Sequence, residues 1–181
     1  MKSNVRSIAG AAVIGALYAV LTIALAPISY GAVQFRLSEA LCVLPYFLPS
    51  SVWGLFVGCA AANLITGNIL EIVFGSLATL LAALCTAAGG KKRHCASTRI
   101  AACLMPVLFN AVIVGAVITK AYSGLPILSN LPVFALNSFQ VGLGEAAVLF
   151  IVGLPLMHYL PQRQFFRDFI GQIEKTKGDA K

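Results

Sequence analysis

The chain has 181 residues, of which 59% are apolar and only 10% charged, and its mean hydropathy is +0.90. A water-soluble globule of that size would have too little polar surface to face solvent, and disordered, collagenous, coiled-coil and disulfide-scaffold chains are excluded by the same figures. The formal charge of +7 comes from thirteen Lys and Arg against six Asp and Glu. In a soluble domain that excess would point to nucleic acid. Here the basic residues lie in tails and loops, which fits anchoring at a membrane face and no nucleic-acid partner. The sequence predicts an all-α, multi-pass membrane protein.

Taken in order, the apolar runs give spans at 8–28, 37–48, 51–66, 69–88, 100–121 and 131–160, all within one integral membrane domain, followed by a tail at 161–181. The first run has the flanks of a signal peptide, with Lys2 and Arg6 before it and Ala24-Leu25-Ala26 resembling a cleavage site. It is too long for one, and Pro27 would follow the cut directly, so it reads as a retained span. The run 131–160 is long for a single crossing, since about 20 residues suffice.

The stretch 37–66 is the awkward one, too long for one span and short for two. Charge decides it by parity. Every Lys and Arg except Arg36 and Lys120 falls in three clusters: Lys2 and Arg6; Lys91, Lys92, Arg93 and Arg99; Arg163, Arg167, Lys175, Lys177 and Lys181. Placing all three in the cytoplasm requires an even number of crossings between the first and second. The stretch must then contribute two crossings or none. Two short helices hinged at Pro49-Ser50-Ser51 meet this, and a re-entrant hairpin is the alternative. The expectation is six transmembrane helices with both termini cytoplasmic.

Small residues recur at helical spacing. Ala12 and Ala16 lie one turn apart on the first helix beside a second stripe of Ala11, Gly15 and Ala19, and Gly54, Gly58 and Ala62 form a third. Such stripes let helices approach closely in lipid, within the chain or with another subunit. The five cysteines show no CxxC pairing, and Cys42, Cys59, Cys85 and Cys103 fall in or beside apolar runs, as small hydrophobes do.

Carboxylates inside spans are costly and therefore paired or functional. Glu39, Glu71 and Glu145 are of this kind, joined by the amides Asn63, Asn68, Asn110, Asn137 and Gln140. In the six-helix topology most of them fall in the outer part, with Asn110 and Glu145 nearer the midplane. The expectation is an outward-facing polar pocket, with Gly142 and Gly144 allowing a ligand close approach. The rival reading pairs Glu39 with Arg36 and lets each amide satisfy a neighbouring helix. No HExxH, GxSxG or P-loop is present, and His94 and His158 are not spaced as a metal pair, so no enzyme chemistry and no cofactor is indicated.

The run Tyr30-Gly31-Ala32-Val33-Gln34-Phe35-Arg36-Leu37-Ser38-Glu39-Ala40-Leu41, closing at Leu44-Pro45, resembles the hallmark of the QueT family of queuosine-precursor transporters. Six helices and Ala12-xxx-Ala16 likewise resemble the substrate-binding S-components of energy-coupling factor importers. The resemblance implies a subunit of a prokaryotic plasma membrane, surrounded by lipid, that captures a 7-deazaguanine at the outer face. A transmembrane coupling subunit, contacted through Ala12 and Ala16, and two cytoplasmic ATPases would drive uptake. External loops at 29–36, 66–68 and 123–130 would close over the ligand. A guanine-like edge offers adjacent N–H donors to a carboxylate, and an aminomethyl group wants a second one. With Gln34, Phe35 and Arg36 from the hallmark run, the three glutamates and five amides supply that inventory, and Phe35 or Tyr30 could stack on the ring. The alternatives are a proton-coupled secondary transporter or small channel, and a membrane assembly subunit without a ligand.

Overall fold

The computed structural model describes the backbone of residues 2–31, 33–91, 95–124 and 129–178, and side chains within those ranges except at 2–4, 122–123 and 173–178. The described residues are mostly helical, with no strand among them. Its elements are α1 (Lys2–Ala24), a turn α2 (Ala26–Ser29), a 3₁₀ segment (Leu37–Tyr46), α3 (Ser51–Asn63), α4 (Ser76–Gly90), α5 (Ala96–Ser123), α6 (Leu131–Val148), α7 (Leu154–Tyr159) and α8 (Gln164–Gly178). A π-turn, Glu71–Gly75, leads into α4, and a second, Leu149–Gly153, joins α6 to α7. Among the described residues, four continuous helical stretches are long and apolar enough to cross a membrane: Val5–Ala24, Glu71–Gly90, Ala96–Ala121 and Leu131–Gln162.

The stretch 37–66 breaks where the prolines and serines predict, between Tyr46 and Ser51. Ser51 closes the hinge, its hydroxyl donating to the Leu48 carbonyl at 2.7 Å. The first arm is not an α-helix, however. Ten residues of α-helix would rise about 15 Å, whereas the 3₁₀ form carries them about 20 Å. That extension threads Leu37–Tyr46 through the middle of the bundle, and Arg36 to Leu48 are buried except at Leu37, Leu41 and Phe47. Cys42 packs with Tyr18, Leu55 and Cys59 on one side, and Val43 and Tyr46 pack with Cys103, Leu149 and Met157 on the other.

Of the small-residue stripes, Ala11 and Gly15 face α3 across a backbone-to-backbone seam. A Cβ added at Gly54 would collide with the Ala11 carbonyl, and one at Gly58 with the carbonyl of Gly15. Ala12 and Ala16, on the neighbouring face, are exposed. They line an open apolar groove of about 580 Å³ whose far wall includes Trp53 and Val57.

The expected tail contains α8, an amphipathic helix laid across the end of the bundle that carries Arg6. Phe166 meets Phe47 edge-on at 5.9 Å, and Phe169 covers Gly10 of α1. Cys42, Cys59 and Cys103 are buried as expected, but Cys85 is exposed on the outside of α4. The residues Lys92, Arg93 and His94, positions 125–128 of the expected outer loop and Lys181 lie outside the described residues, as do the side chains of Lys175 and Lys177.

Candidate functional site

The 3₁₀ geometry builds the centre of the site. With three residues per turn, side chains at i and i+3 eclipse. Glu39 and Cys42 are therefore stacked, and the Cys42 thiol donates to Glu39 Oε2 at 2.9 Å. The Tyr18 hydroxyl donates to the other oxygen, Oε1. Tyr18 continues the inward stripe of Ala11 and Gly15 along α1, and Thr22, one turn further, meets Ser38 at 2.6 Å. Glu39 thus has both oxygens occupied and is fully buried.

Arg36 does not pair with Glu39, as the rival sequence reading proposed. Its Nε donates to the Ser29 carbonyl at 3.3 Å, and its guanidinium lies 5.0 Å from the centre of the Tyr30 ring. Tyr30, expected as a stacking platform, thus carries the arginine, while its hydroxyl ties the loop to α3 through the Ala62 carbonyl at 2.7 Å. Gln34 is buried at φ 47°, a left-handed conformation uncommon for a side chain of this size. The Val33 and Gln34 carbonyls rest on Gly144, where a Cβ would collide with the former. Gly144 therefore accommodates the loop rather than a ligand, and Gly142 faces Ala111.

Glu145, one residue beyond, lies within electrostatic range of Glu39 and Arg36. Asn110 donates to its Oε1 at 2.9 Å, and its Oε2 is buried without a partner among the described residues. At the α3 side, Asn63 donates to the Glu71 backbone carbonyl at 3.1 Å, and Glu71 Oε2 and Asn63 Oδ1 are buried without a partner among the described residues. Ser29 Oγ is in the same condition. Buried polar atoms are paired in the great majority of cases, so each open acceptor requires an explanation.

Other expected residues are engaged elsewhere. Asn68 Oδ1 accepts from the Leu70 amide at 3.0 Å, closing a local turn, and Asn137 donates to Thr119 of α5 at 2.9 Å. Gln140 is half-buried, and Phe35 is exposed. The structure thus gathers Arg36, Glu39, Asn110 and Glu145, sets Gln34 against α6 beside them and couples Asn63 to Glu71; Asn68 and Asn137 are each taken up by a neighbour. Sequence reasoning missed Tyr18 and Cys42, although a tyrosine hydroxyl inside an apolar run needs a partner and pointed to one.

Residues 8–162 match the QueT transporter family. The chain belongs to that family. It is 34% identical over 82 residues to a protein of Lactococcus lactis subsp. cremoris (strain MG1363) named queuosine precursor transporter QueT; the match covers 44% of this chain and about half (48%) of that curated relative. No solved structure matches the chain.

Proposed function

We propose that this chain is the substrate-binding S-component of an energy-coupling factor importer, and that it captures a queuosine precursor, a 7-deazaguanine, at the outer membrane face. Family membership supports the class of cargo, and the similar Lactococcus lactis protein carries that cargo in its name. The observation that carries the site is the set of open acceptors, Glu71 Oε2, Glu145 Oε2 and Asn63 Oδ1, buried in an apolar frame. The ring N–H groups and exocyclic amine of a deazaguanine are donors of the matching kind, and an aminomethyl group adds a cation. Two carboxylates and one guanidinium, Glu39, Glu145 and Arg36, give that part of the site a formal excess of one negative charge. Glu71 and Glu145 bind the ligand, Glu39 holds the frame, and the Ser29–Arg36 segment covers it. Calorimetric titration of the purified protein with 7-aminomethyl-7-deazaguanine and with its nitrile analogue tests this. Tighter binding of the amine is expected, and equal binding would remove the carboxylate assignment.

In this reading both chain ends and the loop around Cys95 are cytoplasmic, six helices cross, and Ala12 and Ala16 meet the coupling subunit. The exposed Ala12–Ala16 groove supports that contact, because small residues on an open face invite a partner helix. Cys95 reports the topology. Hydrogen bonds from Ser97 and Thr98 lower its thiol to about 7, so about half of it is thiolate at neutral pH. An impermeant maleimide should spare Cys95 in intact cells and label it in inverted vesicles, at a rate that rises with pH through 7. Labelling in intact cells would overturn the topology.

A further inference from the structure

At the end of the bundle away from the polar cluster, a groove of about 420 Å³ runs between the first turns of α5 and the α6–α7 stretch. Its walls are apolar, with Ile100 on one side and Phe150 and Leu154 on the other. Its rim is formed by the Arg99 guanidinium and the aromatic rings of His158 and Tyr159. No Asp or Glu lines it among the described residues. Ile100 is 42% and Tyr159 59% exposed, so the groove opens to the surrounding medium, which beside these apolar spans is lipid.

Arg99 Nε is buried there with no hydrogen-bond partner among the described residues, a donor that the protein itself does not satisfy. The α5 amino terminus, capped by Cys95 and Thr98, adds the positive end of a 28-residue helix at the same rim. A guanidinium fork suits a phosphodiester, tyrosine suits the membrane interface, and an apolar channel below suits an acyl chain.

We infer that the groove between α5 and α7 is a binding site for an anionic phospholipid, its headgroup phosphate on Arg99 and His158 and one acyl chain along Ile100, Phe150 and Leu154. Charge complementarity selects the occupant, because a choline headgroup would set a cation beside Arg99. The depth of apolar wall selects lipid over free phosphate. Nothing in this site depends on which small molecule the polar cluster takes.

Native mass spectrometry of the full chain in detergent, offered equal amounts of phosphatidylglycerol and phosphatidylcholine, tests the site. Phosphatidylglycerol adducts should predominate on the parent. Arg99→Gln should lower their retention about tenfold, the scale of one charge-assisted contact, and Ile100→Trp should expel lipid while leaving Arg99 in place. Arg167→Gln, a control on α8, should retain lipid like the parent, and equal melting temperatures establish that the variants fold. Parent-like retention by Arg99→Gln, equal uptake of phosphatidylcholine, or displacement of phosphatidylglycerol by equimolar inorganic phosphate would each overturn the assignment.

Discussion

Between Ala11 and Gly15 the first helix meets α3 backbone to backbone, whereas one turn further along the same buried stripe, at Tyr18 and Thr22, it meets polar side chains. The seam contains no side chain larger than a methyl group at its crossing points, and the glycines admit no Cβ. Its energy is van der Waals contact, the form of helix association that lipid permits. The polar end is built on opposite terms. Tyr18 and Cys42 satisfy Glu39, but Glu71 and Glu145 each keep one buried oxygen open. An empty buried acceptor costs free energy that a ligand donor can offset. The seam is therefore complete as it stands, whereas in the proposed function the polar end is completed by its ligand.

That contrast separates the glutamates, and the largest expected effect lies there. Truncating one partner of a buried charge-assisted pair typically costs about 2–5 kcal/mol, or roughly 30-fold to several thousand-fold in affinity. Glu145→Gln and Glu71→Gln should lose that much affinity for 7-aminomethyl-7-deazaguanine in calorimetry while melting no lower than the parent. Glu39→Gln should instead lower the melting temperature, because an amide nitrogen then faces the Tyr18 or Cys42 donor. If Glu39→Gln weakens binding without destabilising the protein, the roles of the glutamates are reversed.

At the seam, Gly54→Val places a side chain on the Ala11 carbonyl, and overpacking of this kind costs about 1–3 kcal/mol. A lower melting temperature is expected, with affinity per folded molecule unchanged. Tyr18→Phe removes the hydroxyl that Glu39 Oε1 accepts and leaves that oxygen buried and unpaired, for a loss of about 1–3 kcal/mol. Melting curves of the two variants against the parent show whether the two ends of the stripe contribute comparably. A parent-like Tyr18→Phe would mean that Glu39 does not rely on α1.

Much of this was legible in the sequence. Apolar runs marked the long helices, and Pro49-Ser50-Ser51 marked the hinge, because those residues punctuate any helix. The intramembrane polar residues were also legible, since lipid makes them conspicuous. The 3₁₀ form of Leu37–Tyr46 was not, because the segment is packed on several sides, by α1, α3, α4 and α5, and such contacts leave no local signal. An α-helix would also set Glu39 and Cys42 on neighbouring positions, but only the 3₁₀ form eclipses them. Nor could composition tell which alanine stripe met α3, since Ala11 and Ala12 are alike and only the direction of the crossing separates them. Asn68 and Asn137 show the other limit, because an amide closing a turn or bridging two helices looks the same in sequence as one facing a ligand.

The two alanine faces of α1 give the smallest effect on stability and the sharpest division of roles. Ala16 is exposed on the open groove that Trp53 and Val57 also line, so the added atoms of Ala16→Leu have open space to enter. Surface substitutions away from special features usually stay within about 0.5 kcal/mol, and Ala16→Leu should melt and bind ligand like the parent. Added bulk at a helix–helix contact with another subunit would still block close approach. Co-purification with the coupling subunit, and uptake in cells expressing it, should therefore fall for Ala16→Leu and Ala12→Leu alone among the variants that keep both fold and affinity. If Ala16→Leu instead lowers the melting temperature as Gly54→Val does, both faces of α1 serve internal packing, and the groove is not where the importer is assembled.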